Sequence, residues 1–124
     1  MSKIIINSSV KSSEDEELLK DIKAIIKDNI ITYNYGGISV CVTIKDNMVI
    51  LTRENDEMKI TLKFEKNKKT TSYYEIKELK LNIELTVDTK DIVIKDKMLS
   101  VKYDLYLNNE FSDSFDYKLD WRDL

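Results

Sequence analysis

Hydrophobic and polar residues alternate along most of this chain. Met58, Ile60, Leu62 and Phe64 are separated by Lys59, Thr61 and Lys63, and Leu79, Leu81, Ile83, Leu85 and Val87 by Lys80, Asn82, Glu84 and Thr86. Leu99, Val101, Tyr103, Leu105 and Leu107 follow the same rule, as do Phe115, Tyr117, Leu119 and Trp121. Successive side chains of a strand point to opposite faces, so each segment reads as a strand with one buried and one wet face. One-sided burial belongs to antiparallel sheets, because parallel strands covered on both faces read as continuous apolar runs. Residues 4–10, 30–35, 38–44, 47–53 and 70–76 are shorter, rich in β-branched and aromatic side chains, and complete the set.

The punctuation agrees with the strands. The chain has no proline and two glycines, Gly36 and Gly37. Asn and Asp must therefore make most turns, since they tolerate left-handed geometry and hydrogen-bond their own backbone. Breaks fall at Asp28-Asn29, Gly36-Gly37, Asp46-Asn47, Asn55-Asp56, Asn67-Lys68, Asp96-Lys97 and Asn108-Asn109. Short strands at such regular intervals predict an all-β sandwich or barrel. No helix-length segment separates successive strands, as a βαβ fold requires.

Residues 13–27 allow two readings. Ser13-Glu14-Asp15-Glu16 has the form of a capping box, and Leu18, Leu19, Ile22, Ile25 and Ile26 follow at helical spacing. Alternatively, Leu18, Ile22, Ala24 and Ile26 lie on one face of a strand that turns at Asp28-Asn29 and pairs with residues 30–35.

Composition then narrows the chemistry. A chain of 124 residues fits a single domain, here residues 1–124, and buries enough surface for a core without disulfides or metals. The sequence has no histidine, which removes Ser-His-Asp and Cys-His triads and the imidazole base. One cysteine, Cys41, supplies neither a zinc site nor an internal disulfide, and two adjacent glycines do not make a phosphate loop. No catalytic residue, metal ligand or cofactor is assigned. Without a long apolar run or a secretory leader pattern, a cytoplasmic protein with no membrane association is the expectation. The net charge of −3 comes from interspersed charges of both signs, which gives no global field for nucleic acid.

Two stretches resemble the YwiB-like family of small bacterial proteins. One is Val49-Ile50-Leu51-Thr52-Arg53 followed by Leu62, Phe64 and Tyr74; the other runs from Leu81 to Trp121 and includes the segment from Ile83 through Thr89 to Ile92. The likeness is close over residues 28–122 and loose over residues 3–27. It implies a calycin-type (lipocalin-like) fold, an antiparallel meander of about eight to ten strands closed or nearly closed into a barrel, with residues 16–27 as a strand. The sequence departs from the family where Lys77-Glu78-Leu79 replaces a glycine after the tyrosine, and where Ala24 replaces a glycine of the second strand.

Such a barrel holds side chains or one small ligand in its interior. The candidate ligand-binding residues are Arg53, Tyr74, Thr89 and Tyr103 for a small hydrophobic or anionic molecule. Arg53 is one of two arginines against eighteen lysines and is in phase with Val49 and Leu51, so its planar fork is expected on the inner face. Tyr73, Tyr74, Tyr103 and Tyr106 offer phenolic groups, with core packing as the competing role. Trp121 is expected to close one end of the core. Lys59, Lys63, Lys66, Lys68 and Lys69 form a basic hairpin, and the chain from Tyr103 onward is acidic; these regions are expected to pair in the fold or in a homodimer. An interaction module without a ligand, monomeric or homodimeric, is the alternative function.

Overall fold

The computed structural model describes residues 1–124 and contains ten strands and no helix. They are β1 (Ser2–Lys11), β2 (Glu16–Lys27), β3 (Ile30–Tyr35), β4 (Ile38–Lys45), β5 (Met48–Glu54), β6 (Met58–Glu65), β7 (Lys69–Ile76), β8 (Leu81–Lys95), β9 (Met98–Leu107) and β10 (Glu110–Asp123). Each pairs antiparallel with its sequence neighbour, and β1 pairs with β10 to close the barrel. Residues 16–27 are a strand, as the family likeness implied.

Tight turns join the strands. Asp28-Asn29, Gly36-Gly37 and Asn108-Asn109 carry positive φ at both central positions. That is the twist-matched geometry of two-residue hairpins, which Gly and Asn adopt most readily. The connection between β7 and β8 lacks such a signal in the sequence. There Lys80 takes the left-handed conformation at φ 48°, and its N–H donates to the Lys77 carbonyl at 3.2 Å. Leu79 therefore belongs to a turn and is exposed, and β8 begins at Leu81.

Three bulges interrupt the alternation. On β2 an extra residue lies between Leu19 and Ile22, where Asp21 has a φ of 55° and its N–H donates to Asn7 Oδ1 at 3.0 Å. The bulge carries Leu19 and Ile22 to the same face three positions apart, which explains the helical spacing of this segment. Lys90 is the extra residue on β8 and Ser112 the extra residue on β10. Past Lys90 the inward phase resumes at Ile92, so β8 runs on to Lys95.

The inward faces form one core that is packed at one end of the barrel. Ile4, Ile6, Ile31, Val42, Val49, Phe64, Leu99 and Leu119 are all at most 1% exposed and fill the end that holds residue 2, residue 123 and the β2–β3, β4–β5, β6–β7 and β8–β9 turns. Trp121 packs against this core at the same end, half-buried, and its backbone N–H donates to the Lys97 carbonyl at 3.1 Å. The outer face is charged. The basic hairpin is neutralised locally: Lys63 and Lys68 pair with Glu65, and Lys66 with Asp91. Its lysines make no ion pair with the acidic residues beyond Tyr103; instead Lys69 Nζ lies over the Tyr106 ring at 5.9 Å.

Two ladders are incomplete. β2 and β3 pair only over Ala24–Lys27 and Ile30–Tyr33. β6 and β7 pair only over Met58–Thr61 and Tyr73–Ile76. Beyond that, hydroxyl groups bridge the gap. The Lys63 N–H donates to the buried Ser72 Oγ at 2.9 Å, and the Thr70 hydroxyl donates to the Lys63 carbonyl. Thr89 is fully buried at the β8 bulge; its backbone bonds the β6–β7 turn, while its hydroxyl has no partner.

These contrasting hydroxyls set opposite expectations. Ser72→Ala strands the Lys63 amide and costs about 1–3 kcal/mol in denaturant unfolding. Thr89→Val removes an unsatisfied polar atom at constant shape and leaves stability equal or raised. A destabilising Thr89→Val or a neutral Ser72→Ala would contradict this assignment.

Candidate functional site

The other end of the barrel, bordered by the β1–β2, β3–β4, β5–β6, β7–β8 and β9–β10 turns, is open. A cavity of about 440 Å³ leads down from it, and fifteen of its nineteen lining residues are hydrophobic. Its walls are the mouth-side continuations of the inward positions that fill the core: Leu51 and Arg53 beyond Val49, Leu62 and Ile60 beyond Phe64, and Tyr103 and Leu105 beyond Val101.

Arg53 does point inward, in phase with Val49 and Leu51. It is the one cationic side chain of the lining, and Glu17 on β2 is the one anionic side chain. The Arg53 guanidinium donates to the Tyr35 hydroxyl, which donates in turn to Glu17 Oε1 at 3.1 Å. Arg53 Nη2 also stands 3.8 Å from Glu17 Oε1, with the arginine side chain 29% and the glutamate 48% exposed. The guanidinium carbon lies 5.8 Å from the centre of the Tyr35 ring, within cation–π range. Glu17 belongs to the stretch of β2 that has no partner on β3, so these side chains are what links the two strands at the rim.

Tyr103 and Tyr74 both line the cavity. The Tyr103 ring lies between Phe64 at 4.7 Å and Phe115 at 5.2 Å, an aromatic column joining the packed core to the cavity. Tyr73 and Tyr106 face outward from the neighbouring register positions and take no part. Thr89 does not line the cavity; it sits against the β6–β7 turn at the closed end, where the bulge at Lys90 holds it. Sequence reading missed Glu17, Tyr33, Tyr35 and Tyr117. Tyr33, Tyr35 and Tyr117 occupy inward positions that the alternation does mark, whereas nothing in the pattern distinguishes Glu17 from the other acidic residues of its segment.

Electrostatics at the floor are governed by burial. Desolvation raises the Tyr103 hydroxyl above its ordinary value, with Arg53 pulling the other way. Tyr33 is raised by burial and partly restored by the neighbouring Tyr117 and Ser8 hydroxyls. Tyr117 is only 2% exposed, its hydroxyl has no well-formed hydrogen bond, and burial pushes it far up. Cys41 faces outward on β4, between Thr32 and Thr52.

The raised tyrosines make a pH expectation. The hydroxyls ionise near 10.0 in the unfolded chain and higher in the barrel, so the folded state holds protons that the unfolded state releases. Their contribution is intact below pH 10 and falls as the pH rises towards the folded values. The decline is about 1.4 kcal/mol per pH unit for each tyrosine. Denaturant midpoints measured across this range will show a shallower decline in Tyr103→Phe; identical slopes would exclude Tyr103 as a contributor.

Comparison with known proteins agrees with the barrel fold. The chain is similar to the crystal structure of the ywiB protein from Bacillus subtilis, with a TM-score of 0.67 and 15% sequence identity over 98% of this chain and 90% of that one. At that identity the likeness concerns the fold alone. No curated protein matches the chain. The family described as Domain of unknown function (DUF1934) matches residues 7–119, nearly the whole barrel, and the protein belongs to that family.

Proposed function

We propose that this protein binds one small, largely apolar molecule in the open end of its barrel. The observation that carries the reading is the cavity itself. A well-packed protein leaves few voids larger than a water molecule, yet here about 440 Å³ stays unfilled behind an open mouth. That volume lies within the ~300–1,000 Å³ range of small-molecule sites. Its lining is apolar with a few convergent polar groups, the composition that gives affinity from burial and orientation from polar contacts.

The charged outer face supports work in water. Outward positions such as Lys59, Thr61 and Lys63 are the reverse of the apolar belt that a lipid-spanning barrel presents. No helix is long and apolar enough to cross a membrane. A cytoplasmic setting fits the unpaired Cys41. A second reading, association with another copy, draws on the mouth-side half of β2. That half has no strand partner towards β3 and exposes Leu18; sedimentation showing only monomer would set it aside.

Nile red, an uncharged fluorophore, tests the cavity. The intact protein is expected to bind it at one equivalent with enhanced emission. A ligand at about 100 times its Kd adds roughly 2.7 kcal/mol to stability and raises Tm by several degrees. Ile83→Trp fills the mouth and should weaken binding at least about tenfold (some 1.4 kcal/mol) without lowering Tm. Absence of binding by the intact protein, or equal binding by Ile83→Trp, would refute the reading.

A further inference from the structure

The cavity is chemically two-sided. On the β2, β3 and β5 side stand Glu17, Tyr35 and Arg53, joined by hydrogen bonds. The opposite wall, from β8 and β9, is Ile83, Leu85 and Leu105. That apolar wall runs up to Leu107 of the lining and, one inward position beyond Ile83, to Leu81, both partly exposed at the rim. One side is suited to a charged head and the other to a hydrocarbon body.

Resting on the binding role proposed above, we infer that the ligand is an amphipathic monocarboxylate, whose carboxylate takes the place of Glu17 on Arg53 and Tyr35. The side chain of Glu17 already shows what this pair accepts, since a carboxylate oxygen sits 3.1 Å from the Tyr35 hydroxyl and 3.8 Å from Arg53 Nη2. A single guanidinium balances a single negative charge; the lining offers no second cation for a dianionic head.

Displacing Glu17 costs little. Its side chain is 48% exposed and its contact with Arg53 is long, so the ion pair belongs to the weak, solvent-screened class. The β2 segment that carries it has no ladder bonds to β3 to break. A ligand carboxylate held deeper in the mouth meets the same guanidinium with less water around it. Charge-assisted bonds from an arginine fork to a carboxylate are among the stronger hydrogen bonds. Glu17 thus occupies the anion subsite of the free protein and keeps Arg53 from standing unpaired in an apolar cavity.

The test compares decanoate with 1-decanol at neutral pH, by calorimetry and by displacement of Nile red. Decanoate is expected to bind at least about tenfold more tightly than 1-decanol (roughly 1.4 kcal/mol). Arg53→Gln should erase that preference, so that acid and alcohol bind the variant with similar affinity. Glu17→Gln, an isosteric change that keeps an acceptor for the Tyr35 hydroxyl, should raise the preference for decanoate over 1-decanol several-fold by removing the competing charge. Equal binding of acid and alcohol by the unaltered protein overturns the inference while the apolar site stands. So does a Glu17→Gln variant whose preference for decanoate is no greater. If Nile red and both chains fail to bind, the cavity reading falls and this inference with it.

Discussion

The ladder between β1 and β10 removes the two free edges that a ten-stranded antiparallel meander would otherwise present to solvent. Closing the sheet also fixes its girth. Eight strands make a barrel that side chains can just fill, and the interior widens with each strand added. Ten strands therefore enclose more space than this chain's aliphatic side chains occupy. Ile, Val, Leu and Phe take up that space at the end nearest the terminal residues. At the mouth Tyr and Arg side chains line the wall and leave the cavity between them. The cavity is thus a consequence of strand number and of where the bulky apolar residues are spent.

The same closure explains how polar groups come to stand inside. Along β5 the inward positions are Val49, Leu51 and Arg53, fully buried, nearly buried and partly exposed in turn. A guanidinium is tolerated only at the last of these, where water reaches it and Tyr35 and Glu17 supply acceptors. Tyr117, deeper in, is uncharged, and its ring fills volume that a smaller residue would leave void.

Period-two patterning and the Asn/Asp breaks made the antiparallel order and the inner face of β5, β6 and β9 legible from the chain alone, while the family likeness set the strand count at about eight to ten. What escaped was local irregularity. The bulge at Asp21 changed a spacing of two into three and imitated a helix, and the Lys90 bulge hid the last third of β8 behind an apparent loss of phase. Arg53, Tyr74 and Tyr103 were readable as cavity residues because each sits in phase with apolar neighbours. Thr89 was misplaced because phase says that a side chain points inward but not at which end of the barrel it lies. Glu17 was unreadable for a different reason. Its role depends on meeting Arg53 from a distant strand, and no local pattern encodes that.

Nine of the ten strand pairings join sequence neighbours, whereas the tenth brings together residues from opposite ends of the chain, such as Asn7 and Asp120, 113 positions apart. Hairpins close short loops quickly, while the last pairing carries the entropy of closing nearly the whole chain. The order of events in folding is thereby biased: hairpins zip first, and the β1–β10 seam joins last. Because an interior exists only once the seam is shut, the final kinetic step of folding is also the one that brings the cavity into being, and its reversal would empty the barrel without first melting any hairpin.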